Sequence, residues 1–130
     1  GGNRACLLRA SAAGLKAAGV VGLMSTYAGL LDHNVAGHTW MFFPSAWARE
    51  GDWPDLAACQ APAPLLVQYD REDELFTPEG MQAAHARLSS IYAAAGQPQA
   101  YCGQFYPGRH KFDLEMQSAA FAWLEQVLGG

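Results

Sequence analysis

No stretch of this sequence is long and apolar enough to span a membrane. The runs at residues 20–24 and 40–43 fall far short of the roughly 18 apolar residues a transmembrane helix needs. No basic segment followed by an apolar one marks a leader peptide. Positive charge is also scarce: eight Lys and Arg stand against twelve Asp and Glu, a net charge of -4. The basic residues form no cluster that could neutralise a phosphate backbone, so neither nucleic acid nor a membrane is expected as a partner.

Cysteine is sparse and odd in number. Cys6, Cys59 and Cys102 have no C-x-x-C spacing, which argues against a disulfide framework and against a zinc site. Buried, reduced thiols are the expected state, and a cytoplasmic setting is expected from that. Charged residues make up only 15% and apolar ones 51% of the 130 residues. This is a globular composition, long enough for one domain and its core.

Along the chain, three short β-prone runs alternate with helical patterns. Residues 3–13 read as a helix closed by Gly14. "KAAGVVGL" (16–23) and "PLLVQYD" (64–70) read as strands buried on both faces, and "AYCGQFY" (100–106) as a third, bounded by Pro98 and by Pro107-Gly108. The clearest helix starts at Thr77 as N-cap with Pro78 in its first turn. Met81, Ala84, Leu88, Ile91 and Ala95 then form one apolar stripe, and Gly96 and Pro98 stop it. A last helix, over residues 113–128, aligns Met116, Ala120, Trp123, Leu124 and Val127. Strand, helix, strand, helix, strand, helix is the pattern of an α/β fold with a parallel sheet and right-handed crossovers.

Residues 24–62 break that rhythm. They hold three of the four tryptophans, Trp40, Trp47 and Trp53, with Phe42 and Phe43, and only "DWPDLAACQ" reads as a short helix. A segment this long without periodicity is expected to be a cap or loop insertion, with Trp40, Phe43 and Trp47 as candidates to line an apolar substrate pocket. His33 and His38, five residues apart, fall on different helical faces, and no further ligand completes a metal site.

In an open parallel sheet, ligands sit beyond the carboxyl ends of the strands. After the second strand comes "YDREDELFTP" and after the third "YPGRHKF", which brings Asp73 and His110 to one edge. A carboxylate beside an imidazole is the base-and-orienter half of a catalytic triad. Asp70, Glu72 and Glu74 are neighbours of Asp73 that compete for the acid's place.

"PAPLLVQYDREDELFTPEG" and "FYPGRHKFDLEMQSAAFAWL" together resemble the acid loop, histidine loop and terminal helix of the α/β-hydrolase family, in its dienelactone hydrolase and acetyl xylan esterase-like branch. The resemblance implies a partial α/β-hydrolase fold of about three parallel strands, in which residues 1–130 are the C-terminal portion of the domain and 24–62 its cap. It places Asp73 as acid and His110 as base, and departs from the family at Asp70, where glycine is common. It implies a carboxylic-ester hydrolase that acts on a small-molecule ester with neither cofactor nor metal.

"GGNRACLLRASAAGLKAAGVVG" resembles the end of the family's G-x-S-x-G elbow and its continuation: the final glycines, the helix and the next strand. The resemblance therefore places the nucleophile, Ser or Cys, before Gly1, and puts Gly1 and Gly2 at the helix N-terminus near the oxyanion. Within the chain, Ser25 comes after a strand but lacks the elbow's small neighbours, and Ser11, Ser89, Ser90 and Ser118 fall on helices. The chain alone is then expected to be inactive and to pair with a companion N-terminal segment or with a second copy. The competing expectation is a non-catalytic α/β binding or scaffold module, or a degenerate hydrolase remnant.

Overall fold

A computed structural model describes residues 1–31 and 35–129; His33 lies outside the described residues. Helix α1 (Gly2–Ser11) leads into strand β1 (Ala18–Val21). Two 3-10 turns, Val35–Gly37 and Trp40–Phe42, precede the short helices α2 (Trp47–Glu50) and α3 (Trp53–Ala58). Strand β2 (Leu65–Asp70), helix α4 (Pro78–Ala94), strand β3 (Tyr101–Tyr106) and helix α5 (Leu114–Leu128) complete the order.

The sheet is parallel, in the order β1-β2-β3. Val20 pairs with Val67, and Asp70, the last residue of β2, pairs with Tyr106, the last of β3. The two strands therefore end level, and the loops after them leave from one rim.

Side chains alternate across the sheet. Leu65, Val67 and Tyr69 of β2 join the main core, together with Val20, Met81, Leu88 and Trp53. Leu66, Gln68 and Asp70 point to the other face, where Gln68 donates to the Met116 carbonyl of α5 (2.9 Å). All six β2 residues are buried, as a central parallel strand requires. In β1 only Val20 is buried. Expected to be covered on both faces, β1 is a sheet edge instead, with one side open.

The helix ends are fixed as their residue types dictate. Thr77 caps α4 by accepting from Gly80 N (3.1 Å) and donates its hydroxyl to Gly29 O (3.1 Å). Asp113 caps α5 by accepting from Met116 N (3.0 Å). Asp52 and Asp55 form a reciprocal capping box at α3, and Asp52 also takes the Tyr27 amide (3.0 Å). In α4 the buried stripe is Met81, Ala84, Leu88 and Tyr92, so the aromatic ring takes the last core position in place of Ala95. In α5 only Met116 and Ala120 are buried, and Leu124 of its apolar stripe lines a cleft open beside β1.

Arg9 of α1 is fully buried. Its guanidinium donates to the carbonyls of Ala57 (2.7 Å), Pro64 (3.2 Å) and Ala63 (2.5 Å), and to the Tyr92 hydroxyl (2.9 Å). One side chain thus ties α1 to the end of α3, the entry to β2 and helix α4. Of the three cysteines, all free, only Cys6 is buried; Cys59 is exposed and Cys102 half-buried. The expectation of three buried thiols fails because Cys59 falls at the C-cap of α3, on the surface. Burial pushes the Cys6 thiol up to about 12, which leaves it unreactive.

Phe42 is buried at the centre of an aromatic cluster. Its carbonyl accepts from Trp53 Nε1 (3.0 Å) and from the Tyr27 hydroxyl (3.2 Å), and its ring contacts His38, Phe43, Trp53 and Phe76.

Candidate active site

Asp73 lies three residues beyond β2 and His110 four beyond β3. Two backbone bonds extend the strand pairing into their loops: Arg71 N to Tyr106 O (2.9 Å) and Glu72 N to Gly108 O (3.1 Å). The turn between β3 and His110 passes through Gly108, whose φ of +106° excludes a side chain.

The run "DREDE" (70–74) then meets "GRHK" (108–111) residue by residue. Glu72 accepts the Gly108 amide. Glu74 pairs with Arg109 (2.5 Å) at the surface, where an ion pair adds little. Asp73 Oδ2 accepts from His110 Nδ1 (2.7 Å), and Asp70 Oδ2 accepts the Lys111 amide (3.0 Å). Of the four carboxylates competing for the acid's place, it is Asp73 that bonds the imidazole among the described residues.

The Asp73 carboxylate is buried and its second oxygen takes the Leu75 amide (2.9 Å), so both oxygens are fixed. A carboxylate can only accept, which puts the His110 proton on Nδ1 and leaves the Nε2 lone pair free. The ring is 52% exposed, enough for Nε2 to be reached from solvent. It rests against the end of β1: a methyl group built on Gly22 would lie 2.8 Å from His110 Cε1. Gly22 has φ +59° and donates to Gln68 O (3.1 Å).

Behind the pair lies Asp70, 1% exposed. Its Oδ1 is buried without a hydrogen-bond partner among the described residues. A carboxylate oxygen of Asp70, one of Asp73 and a ring nitrogen of His110 all lie within 4.8 Å of one another. Burial foremost, then the nearby Asp73 charge, pushes the Asp70 carboxyl above the usual range, against the Lys111 amide bond and the His110 and Lys111 charges. Lys111 Nζ turns away to Asp113 (2.7 Å).

A cleft of about 530 Å³ opens beside His110. Gly1, Gly2 and Ala5 of the α1 end line it, with Gly19, Val21 and Gly22 of the β1 region, the 110–112 segment, and Ala120, Phe121 and Leu124 of α5. Gly1 is the N-cap of α1, so the positive end of that helix faces the same space as the imidazole. A methyl group on Gly2 would lie 2.6 Å from Leu23 Cβ, so glycine there allows α1 to start tight against β1.

The aromatic candidates sit elsewhere. Trp40 projects into solvent, 82% exposed. Phe43 stacks on Tyr27 (5.8 Å between ring centres). Trp47 lines a separate cleft with Leu7, Pro44 and Leu56. His38 donates from Nε2 to Leu75 O (2.8 Å) and is engaged in holding the acid loop. Ser25 is fully buried, with its Oγ packed so close to Gly80 that a methyl group there would clash with it, and cannot reach a substrate. Ser11 is bonded to Leu7 O (2.8 Å) within α1. Sequence reasoning passed over Gly22, whose only signal was a glycine at the end of a β-prone run.

No protein-family model matches the sequence, and no curated protein matches it. Solved structures do. The chain superposes with a TM-score of 0.76 on a carbohydrate esterase family 15 (CE15) glucuronoyl esterase from Caldicellulosiruptor kristjansonii, at 15% identity, covering 99% of this chain and 41% of that one. On the methylesterase BT1017 the score is 0.73 at 19% identity, covering 99% of this chain and 28% of that one. The chain thus spans less than half the length of either esterase. At such identities the likeness is one of fold, and it agrees with the architecture above: three parallel strands with flanking helices, of the α/β-hydrolase type. Among the described residues, no helix is long and apolar enough to cross a membrane.

Proposed function

We propose that this chain supplies the acid and the base of a carboxylic-ester hydrolase of the dienelactone hydrolase-like kind. The observation that carries the reading is the bond from His110 Nδ1 to the buried Asp73 Oδ2 (2.7 Å), with Nε2 left free beside an open cleft. The two fold neighbours, a glucuronoyl esterase and a methylesterase, support ester chemistry. The substrate is a small-molecule ester.

In this reading a serine hydroxyl or cysteine thiol from outside these residues enters the cleft next to the α1 N-terminus. His110 Nε2 takes its proton as the nucleophile attacks the ester carbonyl carbon, and Asp73 holds the resulting imidazolium. The oxyanion faces the positive end of α1 at Gly1 and Gly2. His110 then returns the proton to the departing alkoxide, which leaves as the alcohol. Water, deprotonated by the same nitrogen, releases the carboxylic acid and restores the nucleophile.

The test is a polypeptide that carries this sequence behind a G-x-S-x elbow, assayed on a short-chain aryl ester. His110→Ala is expected to lower kcat by about 10⁴-fold or more, while the 130-residue chain by itself shows no acyl-enzyme burst. Retained turnover in His110→Ala would assign the Asp73–His110 pair to a structural role, as in a non-catalytic module.

A further inference from the structure

The acid loop and the strand before it present more carboxylate to His110 than orienting an imidazole requires. Asp70 is placed by β2 rather than by the loop, is almost wholly buried, and commits one oxygen to the amide of Lys111, the residue next to His110. Its other oxygen has no partner among the described residues, although buried carboxylate oxygens are nearly always satisfied. Without the Asp70 carboxylate the Lys111 amide would lose this acceptor.

We propose that Asp70 is a positioning residue for His110, acting twice: its Oδ2 fixes the histidine loop through the Lys111 amide, and its charge adds to that of Asp73 in stabilising the imidazolium. Among the described residues, two carboxylates lie close to the ring. Asp73 comes from the acid loop and Asp70 from β2. The end of β1 contributes Gly22, and Gly1 and Gly2 line the same cleft. On the ring's own loop, Arg109 is held by Glu74 and Lys111 Nζ by Asp113. Burial already makes Asp70 costly to ionise, so protonation of His110 and ionisation of Asp70 favour each other. The inference concerns the same imidazole as the hydrolase reading but needs no ester, so the two fail separately.

The test is an NMR titration of this chain. In the unmutated protein, the Asp70 carboxyl carbon is expected to titrate in two steps, its own and a second that coincides with the titration of the His110 Cε1 proton. Asp70→Asn keeps an acceptor for the Lys111 amide and removes the charge; it is expected to lower the His110 midpoint. An unmoved midpoint in a folded Asp70→Asn protein would overturn the charge role. If that variant does not fold, a single-step Asp70 titration in the unmutated chain, blind to His110, overturns it equally.

Discussion

The ring of His110 lies against the backbone of Gly22, two residues that the chain brings together from distant parts of its length. Nothing larger than hydrogen fits between them. Gly22→Ala is expected to push the ring off the Asp73 oxygen and to destabilise the fold by about 1–2 kcal/mol, since alanine is strained by the left-handed φ as well. Chemical denaturation reads the stability, and loss of the strongly deshielded His110 Nδ1 proton reads the displacement. A variant that retains that proton unchanged would show that the ring has room to spare.

Arg9 is a buried cation whose protons go to three carbonyls and a phenol rather than to a carboxylate. Arg9→Met preserves much of the volume and strands those acceptors. A loss of about 3 kcal/mol is expected in urea unfolding, with α1 loosening first, since this is its deepest polar tie. A loss under about 1 kcal/mol would mean that the carbonyls find water.

His85 donates to or accepts from the Tyr101 hydroxyl (2.8 Å), which in turn bonds Tyr69 (3.1 Å). Burial lowers its pKa from 6.5. A base depressed in the folded state is protonated more readily when unfolded, so its contribution is complete above the unfolded value of 6.5 and is lost as the pH falls through the folded one. Stability should therefore rise with pH on approach to 6.5, and His85→Gln should flatten that part of the curve. Equal slopes in the two proteins, measured by urea unfolding across the window, would remove His85 from the account.

Phe121 is more than half exposed and lines a cleft with Gly19 and Val21 of β1, an edge strand of the sheet; Leu8 and Leu128 are each more than half exposed too. Such a surface pairs with another chain. The chain is expected to self-associate at concentrations on the order of 100 µM, and Phe121→Lys to weaken that association. Light scattering that gives the monomer mass throughout would count against it.

How much of this is legible in the sequence depends on how local the cause is. Thr77, Pro78 and Asp113 announce helix starts through their own side chains, and the apolar run of β2 requires a covered strand. The exposure of Gly19 in β1, the surface position of Cys59, and Tyr92 in place of Ala95 are not readable, because each is set by what other elements cover. Asp73 and His110 can be placed on one rim from strand order alone. The pairing of Asp70 with the Lys111 amide, and of Gly22 with the imidazole, depends on register between distant segments, which no spacing in the sequence records.

Residues 70–74 and 106–111 are joined by backbone bonds at Arg71 and Glu72 and by side-chain bonds on either side of the imidazole. The two loops consequently behave as a single cassette, seated on two strands that end level. In the proposed hydrolase, remodelling α5, the far wall of the cleft, would alter which molecule is accommodated without disturbing the Asp73–His110 pair, so selectivity and proton transfer would reside in separately adjustable parts.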